Sequence, residues 1–199
     1  MTSLYFFLKI THSIFYDTSF LLVLDKQLVT VWQPDKHPEL QRSMEFISFF
    51  GSWKWMAFLS AIILIFTRFN AALRPYAFLI TLITIGSIAA TYLLKIYFNR
   101  PRPEVLHEAA IRSSYPSGHA LVSLAIYGMI VYFCWVFSKK HWLNTLITIF
   151  LLAFVLSIGF SRIYLKQHFL SDVLSGFTGG LFWLAFSLGI GKAQMKIFR

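Results

Sequence analysis

Four stretches of the chain, 75–94, 113–138, 142–161 and 173–191, contain no Asp, Glu, Lys or Arg. Each approaches or exceeds the roughly 20 predominantly apolar residues that a helix needs to cross the hydrocarbon core of a bilayer. A fifth span can start near Phe46 and run towards Arg68 if Lys54 snorkels its ammonium to the headgroups. Residues 4–24 are apolar but carry Lys9, His12 and Asp17, which suits a weak first span or an interfacial helix; we favour the span. Only 13% of the residues are charged and 57% are hydrophobic, against about 25% charged in a soluble domain. The formal net charge of +10 fits either nucleic acid or membrane headgroups. The apolar excess selects the membrane, and no nucleic-acid partner is expected. The single cysteine, Cys134, excludes an intrachain disulfide and reads as a small core residue. No run of small residues marks a cleavable leader, so none is expected. The fold class is all-α: a polytopic membrane bundle of about six transmembrane helices in one domain, 1–199. Residues 1–45 form the weak first span and an outer interfacial segment, and 46–191 form the helical core.

Charge between the spans sets an orientation. One set of loops holds Arg68 and Arg74, then Lys139 and Lys140, then Lys192, Lys196 and Arg199, with no acid. Lys and Arg are retained on the cytoplasmic side, so this set faces inward. The alternate set, comprising Asp25 to Glu45, Lys95 to Arg112 and Arg162 to Asp172, then faces the periplasm or the cell exterior. Asp25 to Glu45 is expected to lie along the outer surface and shape lipid access. Trp53, Trp55, Trp135 and Trp142 fall near span ends, as an aromatic belt requires. The outer set is nevertheless rich in arginine, which calls for a local reason.

Three outer segments supply it. Lys95, Arg100 and Arg102 sit at and beyond the end of the 75–94 span, where Pro101 and Pro103 stop the helix. Alone, such a cluster is equally a lipid-headgroup surface. Tyr115-Pro116-Ser117-Gly118-His119 leads into the next apolar run. With Pro116 pre-set for a first turn, free amides there, the Ser117 hydroxyl and the bare Gly118 backbone can cradle an anionic oxygen. Alone, Pro-Ser-Gly is also a plain turn. The third segment runs from Ser161-Arg162 to His168 and Asp172, whose spacing of four puts imidazole and carboxylate on one helical face. The carboxylate can hold one ring nitrogen and leave the other free as base, nucleophile or metal ligand. A metal is disfavoured, because further ligands at zinc-like spacing are missing and the neighbouring charges are positive. Lys95, Arg102 and Arg162 suit a phosphoryl group, whose charge spreads over its equatorial oxygens. Two histidines and one carboxylate suit double displacement: one imidazole attacks phosphorus, the other protonates the leaving oxygen, and water hydrolyses the phosphoenzyme.

Lys95, six residues, Arg102-Pro103; Pro116-Ser117-Gly118-His119; and Ser161-Arg162, five residues, His168, three residues, Asp172 together resemble the three-part signature of the phosphatidic acid phosphatase type 2 superfamily. These are membrane lipid phosphatases related to vanadium haloperoxidases. The resemblance implies a bundle of about six spans, a site near the outer leaflet, no metal or other cofactor, and hydrolysis of a lipid phosphate or pyrophosphate drawn from the bilayer. It implies that His168 is the nucleophile, Asp172 its orienting partner and His119 the acid for the leaving group. Lys95, Arg102, Ser117, Gly118 and Arg162 would hold the phosphoryl oxygens. Arg100 lies outside the signature and is expected to meet a headgroup or membrane phosphate. Undecaprenyl pyrophosphate stands first among substrates, because short loops suit a linear phosphate, with phosphatidylglycerophosphate, phosphatidic acid and lipid A phosphates behind it. A phosphotransferase on the same site and an idle relative or transport component are the alternatives. Gly176, Gly179 and Gly180 are read as internal helix packing. His12, His37, His107 and His141 are assigned no role.

Overall fold

A computed structural model describes residues 1–16, 20–103 and 113–197. Asp17, His107, Arg112 and Arg199, with the side chains of Lys192 and Lys196, lie outside what it describes. The described residues are helical: α1 (Thr2–Tyr16), α2 (Phe20–Val31), α3 (Pro38–Phe49), α4 (Trp53–Phe69), α5 (Ala77–Phe98), α6 (Gly118–Phe137), α7 (His141–Tyr164) and α8 (Leu170–Ile197), with short 3-10 turns at Pro34–Lys36 and Arg74–Tyr76. The segment Arg74–Phe98, α6, α7 and the Leu170–Gly191 part of α8 are each long and apolar enough to cross a bilayer. Two bent pairs raise the number of spans to as many as six.

Both bent pairs revise the sequence expectation. The span begun at Phe46 is not one helix, because α3 meets α4 at 41°. Ser52 restarts the helix by accepting a hydrogen bond from the Trp55 amide at 3.3 Å. Gly51 at the bend leaves room that a Cβ would take from Ile158 and His119. At the N-terminus, α1 and α2 stand at 77°, so residues 4–24 do not form one straight span. The α1 helix lies along α8, and its Thr11 hydroxyl shares the Tyr115 Oη with Ser175, each at 2.5 Å.

The hub is α6, whose residues 120–123, 125–127 and 129 are buried on every side, the pattern of a helix surrounded by others. Leu121, Ala125, Ile126 and Met129 pack with Met56 of α4, Ile80 and Ile83 of α5, Val155 and Ile158 of α7, and Leu184 of α8. Glycine permits the closest of these approaches. A Cβ on Gly176 would lie 2.6 Å from the Ser117 carbonyl, and one on Gly180 would strike the Leu121 backbone. These glycines therefore serve internal packing, as expected. Outside, α4 exposes Phe58, Ile62, Ile65, Phe66 and Phe69, and α7 exposes Leu146, Ile149, Phe150 and Leu156. Such stripes are untenable in water and ordinary against lipid tails. Cys134 is only half-buried, on the wall of an apolar cavity at the bundle end away from the predicted site.

Candidate active site

Chain direction brings the three predicted segments to one end of the bundle. The α5 helix ends there at Phe98, closed by Asn99 in the left-handed conformation (φ 43°). The α6 helix begins there, α7 ends there at Tyr164, and α8 begins there at Leu170. One cavity of about 550 Å³ opens at this end, and Lys95, Arg102, Gly118, His119, Arg162 and His168 all line it. Its remaining wall includes Ile88, Thr91 and Tyr92 of α5, Val122 of α6, Gly51, and Trp53 at the start of α4. Trp53 and Tyr92 are largely exposed and form an aromatic rim. A cationic floor below an apolar, aromatic mouth is the profile of a pocket for an anion carried on a hydrocarbon chain.

Two of the three cations, Lys95 and Arg162, are held from outside the cavity. The buried Lys95 donates from Nζ to the Ser113 carbonyl at 2.8 Å. Arg162, also buried, donates from its two terminal nitrogens to the Ser48 hydroxyl and the Gln167 side-chain oxygen. The Nε atoms of Arg102 and Arg162 are buried with no partner, so donor capacity remains for an incoming oxyanion. Burial lowers the Arg102 pKa below its ordinary value. Gly118 and His119 open α6, so amides of its first turn stand beside the cavity. Gly118 is required by space as well: a Cβ there would come within 2.9 Å of Thr91 Cγ2.

Two local expectations change. Pro116 is not in the first helical turn; it precedes the N-cap Ser117 and follows a cis peptide bond. What anchors this strand of chain is the Ser117 amide, which donates to the Asp172 carbonyl at 3.0 Å. The Ser117 side chain is fully buried and its Oγ has no partner; it is not part of the cavity wall. Likewise His168 does not share a helix with Asp172. It lies in the turn before α8, yet its Nδ1 is 3.5 Å from Asp172 Oδ2. The same Oδ2 accepts the Phe169 amide at 3.0 Å, so Asp172 reaches back over the start of α8 as a helix cap does. Burial, then the charges of Lys95, Arg162 and Arg102, hold the His168 pKa well below the usual imidazole value, leaving it uncharged and nucleophilic at neutral pH.

Arg100 departs furthest from expectation. It meets no headgroup but is buried, with Nη1 2.5 Å from Asp172 Oδ1 and Nη2 2.9 Å from Asp25 Oδ2. Asp25 is therefore not in a surface segment; it is fully buried and accepts the Ser171 amide at 3.0 Å. A guanidinium this far from water needs carboxylate partners, and α2 supplies one. The hint in the sequence was a lone acid, Asp25, amid Phe20-Leu-Leu-Val-Leu and Leu28-Val29. Ser48 and Gln167 carried no comparable signal.

The sequence matches the PAP2 superfamily over residues 74–196. The chain belongs to that superfamily. This PAP2 protein is 34% identical over 112 residues to phosphatidylglycerophosphatase B of Bacillus subtilis (strain 168), a match covering 53% of each chain. It thus spans about half the length of that curated relative. Among solved structures it is similar to the transmembrane PAP2-type phosphatidylglycerolphosphate phosphatase from Bacillus subtilis, with 27% identity and a TM-score of 0.78 over 96% of this chain and 95% of that one. LpxE from Aquifex aeolicus follows, with 26% identity, a TM-score of 0.60, and coverage of 88% and 98%. The resemblance drawn from the three motifs therefore holds, as does the all-helical transmembrane architecture. This PAP2 chain is an integral membrane protein with several transmembrane helices.

Proposed function

We propose that this protein is a membrane lipid phosphatase that hydrolyses a lipid phosphate through a phosphohistidine on His168. The supporting observation is the single cavity that gathers Lys95, Arg102, Arg162, His119 and His168 below an aromatic mouth. Lys95, Arg102, Arg162 and the amides near Gly118 bind the phosphoryl oxygens, while the lipid tail leaves between Trp53 and Tyr92. His168 attacks phosphorus through Nε2; the bond from phosphorus to the lipid oxygen breaks, and His119 gives that oxygen its proton. In the second half His119 takes a proton from water as the water oxygen attacks phosphorus. The P–N bond breaks, and phosphate and free His168 are released. Asp172, facing Nδ1, orients the imidazole and stabilises the positive charge it gains. The residues perform these steps without a metal or other cofactor.

The chain acts as one unit, 1–199, because Asp25 of the N-terminal segment is built into the surroundings of the site that 46–191 provides. The acid-free loops at the other end support a cytoplasmic position for that end and a site at the periplasmic or outer face of a bacterial inner membrane. The Bacillus subtilis relatives are phosphatases of phosphatidylglycerophosphate, which supports that lipid ahead of undecaprenyl pyrophosphate as the substrate here. The test is phosphate release by the purified protein from phosphatidylglycerophosphate, phosphatidic acid, undecaprenyl pyrophosphate and lipid A phosphates, with His168→Ala as control. Release from at least one, abolished in the variant, is expected. No release from any, or equal release by the variant, would overturn the reading.

A further inference from the structure

An arginine facing one carboxylate ordinarily engages it through both terminal nitrogens. Arg100 does not. Its Nη1 goes to Asp172 Oδ1 at 2.5 Å and its Nη2 to Asp25 Oδ2 at 2.9 Å. Ser171 fastens the division: its hydroxyl accepts from Arg100 Nη1 at 2.8 Å and donates to Asp25 Oδ2 at 2.5 Å, and its amide donates to Asp25 Oδ1 at 3.0 Å. The guanidinium also lies 4.3 Å above the Phe169 ring, which limits its tilt. Arg100, Ser171 and both carboxylates are buried, with Asp25 and Asp172 essentially inaccessible. The consequence falls on the second oxygen of Asp172. Arg100 is drawn away towards Asp25, so Oδ2 accepts the Phe169 amide at 3.0 Å and stands 3.5 Å from His168 Nδ1, an ion-pair distance without a hydrogen bond, while the Ser114 side chain also hydrogen-bonds the Asp172 carboxylate.

We infer that Asp25 and Arg100 are positioning residues for the hydrolysis: Asp25 restrains Arg100 to one oxygen of Asp172, so that the other oxygen remains the partner of His168. The inference rests on the reading of His168 as nucleophile. It assigns work to α2, which lies outside both the three motifs and the 74–196 family match. Neither residue touches the cavity; both act through Asp172.

The two residues should shift His168 in opposite directions. With Asp25→Asn the tether weakens, Arg100 settles over both oxygens of Asp172, and the negative charge facing the imidazole is more fully neutralised. His168 then protonates less readily. With Arg100→Gln that neutralising charge is gone, and His168 protonates more readily. Lys95 of α5, Arg102 beyond it, His119 of α6, Arg162 of α7 and Asp172 of α8 also surround His168, and both variants leave them in place.

The experiment is the pH profile of kcat/KM for phosphate release from phosphatidylglycerophosphate, or whichever lipid the screen above selects, by wild type, Asp25→Asn, Arg100→Gln and Arg100→Lys in detergent. Expected are a kcat reduced by up to about 100-fold with KM little changed, an acid limb moved down in pH for Asp25→Asn and up for Arg100→Gln, and partial recovery of kcat in Arg100→Lys. If Asp25→Asn or Arg100→Gln does not yield folded protein, Ser171→Ala loosens the same fork without altering charge and should move the acid limb downward by less. Acid limbs superimposing on wild type, or shifting the same way in both charge variants, would overturn the inference. Activity surviving in His168→Ala, measured in parallel, would instead overturn the phosphatase mechanism, so the two failures are separable.

Discussion

The two ends of the bundle carry similar cations and cavities of similar size, yet they are built on opposite plans. At one end a cavity of about 550 Å³ is lined by Lys95, Arg102, Arg162 and two histidines. At the other a cavity of about 530 Å³ is lined mainly by Leu59, Ile63, Leu73, Ile130 and Phe133. The cations of that second end, Arg68 in the last turn of α4, Arg74 in the following 3-10 turn, and Lys139 and Lys140 between α6 and α7, are exposed, whereas Lys95, Arg100 and Arg162 are buried. Exposed cations need only water and headgroups, and suffice to set topology. Buried ones need ligands of their own, which is why Ser48, Ser113, Gln167, Asp25 and Asp172 are arranged around the first end. A charge kept out of water at such cost is the mark of a site.

Substitutions can break or sharpen that contrast. The largest effect is expected from His168→Ala, which should lower kcat by at least about 10³-fold in a phosphate-release assay. Next, Arg162→Gln should cost roughly 10²- to 10³-fold through lost stabilisation of the phosphoryl oxygens, while Lys140→Gln at the opposite end should leave kcat/KM within about twofold of wild type. Equal effects would erase the distinction between the ends. Helix packing offers a third comparison. Gly176→Ala would press a methyl against the Ser117 carbonyl, whereas a Cβ on Gly189 meets nothing within 4 Å. The first should lower the thermal midpoint in detergent and reduce activity together, by prising α6 from α8 near Asp172. The second should raise stability by about 0.5–1 kcal/mol, the usual gain from replacing glycine in a helix. The smallest effect concerns pH. His168 is held below its ordinary value by burial first and then by Lys95, Arg162 and Arg102. The neutral, reactive form therefore persists on acidification, and the acid limb of kcat/KM should lie below the usual histidine range near 6.5. Arg102→Gln, by removing one repelling cation, should move that limb upward.

What was legible in the sequence was whatever the bilayer or the phosphate dictates locally. Uncharged runs located α5 to α8 to within a few residues at most ends, because a span must be apolar along its whole length. The grouping of Lys95, Arg102, His119, Arg162 and His168 followed from motif spacing and from counting which span ends share a face. The bends were not legible in the same way. The Phe46–Phe69 stretch is apolar on both sides of Gly51, and only the tertiary demand of His119 and Ile158 for the space beside it accounts for the glycine. The place of Arg100 is not legible, because a cation two residues from a signature arginine looks like one more headgroup ligand. Its partner lies 75 positions away on α2, and no local pattern joins Arg100 to Asp25. Pro116 misled for a related reason: Ser117 is pinned to the Asp172 carbonyl, so the helix starts later than local propensity indicates.

The most direct measurement is rapid acid-free quenching of the enzyme during turnover of a lipid substrate labelled with ³²P at the scissile phosphate, followed by peptide mapping. A base-stable, acid-labile label on the peptide carrying His168, formed within the first turnover and absent in His168→Ala, is the expected result. A label on His119, or full catalytic turnover with no protein-bound phosphate and inversion at phosphorus, would contradict the double displacement on which the site's interpretation rests.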